Sequence, residues 1–190
     1  MQGFLITDIF GTTPAVHAMN DRLGGSLFII DPYDGIAQNF TNETAAYQHF
    51  QQHVGVNRYA DIIAGYLSQA ANKDQILIGF SVGASALWRC LTQQPPKSLQ
   101  GKSLQTAALL FYGSQIRHMP VSVPCVPTNI VLPCSEPHFS ISALATSLVD
   151  VENVNVTNSE YLHGFMNELS DNFDRQGYQQ YLAQLQALMK

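Results

Sequence analysis

An α/β fold, with about six parallel strands covered on both faces by helices, is predicted by three features of the chain. Short apolar runs of strand length alternate with segments whose apolar residues recur at helical spacing, the pattern of parallel strands joined by crossover helices. One such run, Gln75 to Phe80, passes through Gly79-Phe80-Ser81-Val82-Gly83 straight into the small-residue stretch Ala84-Ser85-Ala86. The composition, 46% hydrophobic and 12% charged, excludes a disordered chain and suits a sheet buried on both sides. At 190 residues the chain reads as one domain, residues 1–190, with enough length for a substantial core.

The elements follow in order. Gly3 to Thr7 is a first apolar strand, ending in the loop Asp8-Ile9-Phe10-Gly11-Thr12-Thr13. A short helix begins at Pro14, a residue welcome in a first turn, and runs to about Leu23. Ser26 to Ile30 is a second strand, stopped by the turn-forming Asp31-Pro32-Tyr33-Asp34-Gly35. After a polar loop at Asn39 to Glu43, residues Thr44 to Ala71 are helical in pattern with a break near Gly55; Tyr59, Ile62, Ile63, Tyr66 and Leu67 form its buried stripe. Strand three, Gln75 to Phe80, leads into a helix reaching about Gln93, which Pro95 and Pro96 terminate. Ala107 to Tyr112 is strand four, closed by Gly113 and followed by the Pro-rich segment Met119 to Pro127. Asn129 to Leu132 is strand five, His138 to Leu148 a helix, Asn153 to Thr157 strand six, and Asp171 to Met189 a last helix with Tyr178, Tyr181, Leu182, Leu185 and Leu188 on one face.

Several classes of function are excluded. The net charge is −5 and the nine basic residues form no run, so neither a nucleic-acid footprint nor a polybasic membrane signal is present. Cys90, Cys125 and Cys134 lack zinc or redox spacing, and an odd count suits a reducing compartment; the expected location is cytoplasmic. The stretch from Met1 to Ile6 has no basic leader and no apolar run approaches a membrane span, so the N-x-[ST] triplets at Asn39, Asn42 and Asn155 read as chance. The oligomeric state is open.

Strand, Ser turn and helix together give the Gly-x-Ser-x-Gly pattern its meaning as a nucleophile elbow, with Ser81 lifted above the sheet edge and the helix N-terminus aimed at the reacting centre. The alternative is a tight turn with a buried serine. A serine needs a base and a group that orients the base. Of His17, His49, His53, His118, His138 and His163, only His163 follows the last strand in a Gly-flanked loop. Glu136 lies after strand five, where the acid belongs, and Asp150 is the other candidate. The oxyanion hole is expected from the N–H of Val82 and that of Ile9. Phe10, Tyr33, Tyr112, Phe165 and Met166 stand at strand ends, where they wall a pocket or belong to the core. His49 and His53 stand four apart, but Phe50 occupies the position where a zincin has Glu and no third ligand is evident, so no metal site is expected.

Asp8-Ile9-Phe10-Gly11, the Ser81 elbow, Tyr112-Gly113-Ser114, Glu136-Pro137-His138-Phe139 and His163-Gly164-Phe165-Met166-Asn167 resemble, in order and spacing, the dienelactone hydrolase family of α/β-hydrolases. The resemblance spans almost the whole chain. It implies a minimal α/β-hydrolase fold lacking the N-terminal hairpin strands, and hydrolysis of a small ester or lactone through a Ser81-His163-Glu136 triad and an acyl-enzyme, with no metal or cofactor. Three departures accompany it. Ser81 stands where the founding enzymes have Cys, Glu136 where they have Asp, and Asn167 where they have a carboxylate-binding Arg four residues after the catalytic His. The expected substrate is therefore a neutral, short-chain ester or lactone, unless Arg117, His118 or Arg58 reaches the site. Asp8 matches an acidic residue that takes part in switching the nucleophile's protonation in those enzymes; a loop carboxylate capping nearby backbone is the other reading. A thioesterase on the same triad and a non-catalytic binding protein on this scaffold are the alternative functions.

Overall fold

In a computed structural model, residues 2–70, 74–99 and 106–189 are described. Six strands form one sheet: β1 (Gln2–Ile6), β2 (Phe28–Ile30), β3 (Gln75–Phe80), β4 (Ala107–Phe111), β5 (Thr128–Leu132) and β6 (Val154–Asn158). Their spatial order is β2-β1-β3-β4-β5-β6, and every neighbouring pair is parallel. The chain leaves β1 toward one edge and returns on the other side of it as β3, so the order reverses between these two strands. A crevice opens at the carboxyl ends of strands where the order reverses in this way. The register Ile6↔Gly79 brings the segments that follow β1 and β3 side by side.

Alternate residues feed two cores. From β1 Phe4 and Ile6, and from β4 Ala108 and Leu110, point to the face covered by α3 (Gly55–Gln69), α4 (Val82–Gln93) and α5 (Ile141–Leu148). Leu5, Ile76, Ile78, Leu109 and Phe111 point to the opposite face, under α1 (Pro14–Arg22) and α6 (Arg175–Leu188). This period of two, apolar on both sides, is what a doubly covered parallel strand requires. All six residues of β3 are buried, and Leu87, Trp88 and Leu91 of α4 are fully enclosed. Each large apolar side chain buried this way contributes about 1.5–3 kcal/mol. Among the described residues, no helix is long and apolar enough to cross a membrane.

The helical stretch beginning near Thr44 does break at Gly55. Only Val54 separates the end of α2 (Glu43–His53) from α3, and Gly55 sits at φ 69°, a left-handed conformation cheap only for glycine. The expected helix end at Ala71 lies outside the described residues. Other boundaries shift for local reasons. β2 starts at Phe28, not Ser26, because the Asn20 amide takes both polar groups of Leu27: it donates to Leu27 C=O (3.0 Å) and accepts Leu27 N–H (3.1 Å). α5 starts at Ile141, not His138, where Ser140 caps it by accepting the N–H of Ala143 at 3.2 Å. α6 starts at Arg175, not Asp171, where Asp174 accepts the N–H of Gly177 at 2.8 Å.

Candidate active site

Ser81 joins β3 to α4 at φ 50°, ψ −115°, a strained conformation that costs about 1–3 kcal/mol and must be held from outside. Its N–H donates to Phe111 C=O (2.9 Å), while its carbonyl accepts from the N–H (3.0 Å) and hydroxyl (3.1 Å) of Ser85. The flanking glycines are needed for space. A Cβ on Gly83 would strike the carbonyl oxygen of Thr7, and one on Gly79 would stand 2.9 Å from Ala84 Cα, backbone in both cases. The elbow can exist only where strand, turn and helix touch without side chains between them.

Two further loops meet it. Ser81 Oγ lies 2.9 Å from His163 Nε2, and His163 Nδ1 lies 2.6 Å from Glu136 Oε1. A carboxylate can only accept, so the Nδ1 proton faces Glu136 and the Nε2 lone pair faces the Ser81 hydroxyl. That tautomer is the one able to take the serine proton, with the resulting imidazolium beside a carboxylate. Glu136 is nearly enclosed at 10% side-chain exposure, whereas His163 keeps 29%. The His163 ring packs on Tyr112, centroids 5.0 Å apart, and its carbonyl accepts from the Asn172 amide at 3.0 Å. Gly164 adopts φ 87°, and a Cβ there would collide with the Ser170 hydroxyl, so the residue after the histidine must be glycine. Asp150 is exposed beyond α5 and is not the partner of His163.

The loop after β1 forms the opposite wall. Asp8 C=O accepts the N–H of Gly11 (3.2 Å), and because a trans peptide points its N–H away from its C=O, this turns the Ile9 N–H away from Gly11. Val82 begins a helix, so its N–H has no intrahelical acceptor. The two N–H groups expected to form an oxyanion hole are thus free of helix and turn bonds. Tyr33 supports this loop from beneath. Its hydroxyl donates to Ile9 C=O at 2.7 Å, its ring fills the space over Gly11, and burial raises its pKa further above the ordinary tyrosine value, keeping it a donor. Tyr59 acts similarly deeper down, donating to Thr7 C=O (3.1 Å) and lying 2.9 Å from Ile30 C=O, which ties the ends of β1 and β2.

Asp8 is enclosed. Its Oδ1 accepts the Phe10 N–H at 2.9 Å and its Oδ2 accepts the Asn167 amide at 2.6 Å. Loss of hydration raises its carboxyl pKa to about 6; these bonds and the neighbouring His163 counteract the rise, while Glu43 adds to it.

Ile9, Phe10, Glu43, Ser81, Tyr112, His163 and Asn167 bound a small cleft of about 40 Å³. Sharing Glu43 and His163 with it, a wider depression of about 480 Å³ opens between Ser135–His138, Leu162 and Asn172. The strand-end aromatics divide accordingly. Phe10 and Tyr112 line the cleft, Tyr33 is a strut behind it, and Phe165 is a core residue packed against Phe111, Tyr112, Tyr161 and Tyr181. Asn167 reaches the cleft with its amide already committed to Asp8. Arg117 lies 4.4 Å over the Phe139 ring and Arg58 donates to His53 C=O, so neither lines the cleft. Glu43, Ser170 and Asn172 are site residues that the sequence did not single out; each belongs to a loop or helix start with no motif of its own.

His49 packs edge-on against Tyr33 and at a tilt against Phe40, and its ring centroid lies 4.4 Å from that of His53. Among the described residues, no group of three His, Cys, Asp or Glu side chains is placed to hold a metal ion. Burial pushes the Cys90 thiol up to about 12, which leaves it an inert core residue.

No protein-family model matches the chain. The uncharacterised protein YczH of Bacillus subtilis (strain 168) is 28% identical over 182 residues, covering 90% of this chain and 83% of that protein. Among solved structures, a protein of the alpha/beta hydrolase superfamily from Xanthomonas campestris superposes with TM-score 0.57 at 15% identity, covering 100% of this chain and 98% of the other. A Bacillus cereus carboxylesterase gives 0.57 at 13%, covering 98% and 88%. Est1E from Butyrivibrio proteoclasticus gives 0.56 at 9%, covering 99% and 86%. The six-stranded parallel sheet covered by helices and these superpositions show that the chain has the α/β-hydrolase fold.

Proposed function

We propose that the protein is a serine hydrolase of the dienelactone hydrolase type that cleaves a small, neutral ester or lactone. The observation that carries this reading is the unbroken line from Ser81 Oγ through His163 to Glu136 at the head of a strained elbow. His163 takes the Ser81 proton as Oγ attacks the carbonyl, the N–H groups of Ile9 and Val82 receive the developing oxyanion, and protonated His163 then gives its proton to the leaving oxygen. Water, activated by the same imidazole, releases the acyl group.

Size and charge define the substrate class. A cleft of about 40 Å³ is far below the roughly 300–1,000 Å³ of pockets that enclose drug-sized ligands, so one side of the reacting bond is short. Asp8 and Glu43 face the cleft, and no Lys or Arg lines it among the described residues. A substrate carboxylate beside the carbonyl would be left unpaired, which is costly in a partly dry cleft. The Bacillus cereus carboxylesterase with the same fold supports ester chemistry by analogy.

The test is capture of Ser81 by a fluorophosphonate, together with turnover of a panel of neutral and carboxylated p-nitrophenyl esters and lactones. Ser81→Ala and His163→Ala should each lower kcat by roughly 10³-fold or more with the fold intact, and the double variant should be scarcely worse. Ester turnover by folded Ser81→Ala at the wild-type rate would overturn the assignment.

A further inference from the structure

Asp8 and Asn167 are 159 positions apart in the sequence, yet their side chains meet at 2.6 Å inside the site. Asp8 belongs to the loop that carries Ile9, and Asn167 to the turn that begins at His163. Each is fixed on its own side as well. Asp8 Oδ1 accepts the Phe10 N–H, and Asn167 closes its turn by donating its N–H to Gly164 C=O at 2.8 Å. Asn167 Oδ1 accepts the N–H of Leu169 at 2.8 Å, so the amide group that faces Asp8 is its NH₂. Both Asp8 oxygens therefore accept, which is the pattern of a carboxylate and not of a protonated acid. Neither residue belongs to the Ser81-His163-Glu136 line, and withdrawing an ionised group even partly from water is costly unless hydrogen bonds compensate it.

Resting on the hydrolase reading, we propose that Asp8 and Asn167 are a positioning pair that locks the loop carrying the Ile9 oxyanion donor to the loop carrying the base. A hydrogen-bond donor stabilises an oxyanion only when it stands at the right distance from where the charge develops. The donor here sits on a turn between β1 and α1, and the base on a turn between β6 and α6, elements at different places in the sheet. The Asp8–Asn167 bond is a direct side-chain tie between the two turns, and it fixes how far the donor lies from the carbonyl that Ser81 attacks. Its effect belongs to the transition state and not to substrate affinity, so it should appear in kcat.

A polarity swap separates this role from simple packing. Asp8→Asn keeps size and an oxygen for the Phe10 N–H but sets an NH₂ against the Asn167 NH₂. Asn167→Asp sets two carboxylates against each other, and the Asp8→Asn/Asn167→Asp double variant restores one donor and one acceptor. Expected for each single variant is a kcat about 10–100-fold lower with KM changed by less than about threefold, and for the double variant a return to within about fivefold of wild type. Asn167→Ala, which adds no charge, should fall in the same range and serves where Asn167→Asp does not fold. Wild-type kcat in folded Asp8→Asn, a double variant no better than the worse single, or losses confined to KM would each overturn the proposal. Fluorophosphonate capture of wild-type Ser81 reports the hydrolase reading separately: no capture and no turnover overturns both, whereas capture with an unresponsive Asp8→Asn overturns the positioning pair alone.

Discussion

The two halves of the site are held by different forces. On the serine half, Ser81 is fixed by main chain packed on main chain: Gly83 against Thr7, Gly79 against Ala84, and the Ser81 peptide bonded to Phe111 and Ser85. On the acid–base half, Glu136, His163, Asp8 and Asn167 are fixed by side-chain hydrogen bonds between loops far apart in sequence. The first half is a steric lock that tolerates no added atom. The second is a set of polar ties, each removable without disturbing the sheet beneath. Damage to the first should therefore appear as lost folding, and damage to the second as lost rate.

The largest effect expected from this contrast is Gly83→Ala. The added methyl meets the Thr7 carbonyl, which cannot move without shifting β1, so destabilisation of about 3 kcal/mol or more is expected in urea unfolding. A variant as stable as wild type would show that the elbow has slack. Glu136→Gln should do the reverse: an unchanged melting temperature with kcat lower by roughly 10²–10⁴-fold, since the amide no longer holds the imidazole tautomer or stabilises the imidazolium. Asp150→Asn is the internal control and should leave kcat unchanged.

Asp8 lies between these extremes, and its contribution to stability depends on pH. Its folded pKa of about 6 exceeds the ordinary 3.8, so the folded state binds the proton more tightly than the unfolded one. Relative stability is then greatest below pH 3.8 and is lost as pH rises through about 6, by about 3 kcal/mol in full. Unfolding of wild type and Asp8→Asn compared from pH 4 to 8 should show wild type losing ground to the variant across that window. Parallel curves would mean that Asp8 is solvated. The smallest effect expected is that of Tyr33→Phe, which removes one hydrogen bond to Ile9 C=O, worth about 1 kcal/mol, and should lower kcat about fivefold with little change in KM.

This contrast also decides what could be read from sequence. Steric locks leave a local signature: the glycines around Ser81 and the glycine after His163 sit where backbone contact demands them, and strands buried on both faces read as apolar runs. The polar ties leave none. Nothing adjacent to Asp8 points to Asn167, and nothing in Tyr33-Asp34-Gly35 distinguishes a pocket wall from a strut reaching back to Ile9. Glu43 and Asn172 enter the site only because α2 and the turn before α6 fold over it. The strand boundary at Phe28 was hidden for the same reason, since Asn20 captures Leu27 from seven residues away.

The unequal spaces that meet at His163 and Glu43 bear on where along a larger molecule the proposed enzyme would cut. With about 40 Å³ beside Ser81 and about 480 Å³ beside Glu136, the proposed reaction would favour a substrate whose reacting bond lies near one end. The outcome expected of the proposed enzyme is exo action, with terminal acyl groups on an oligomer or a glycan released before interior linkages of a polyester. On a terminally acylated oligoester the products should be one small acid and an otherwise intact chain, and mass spectrometry of the early products would detect any internal scission.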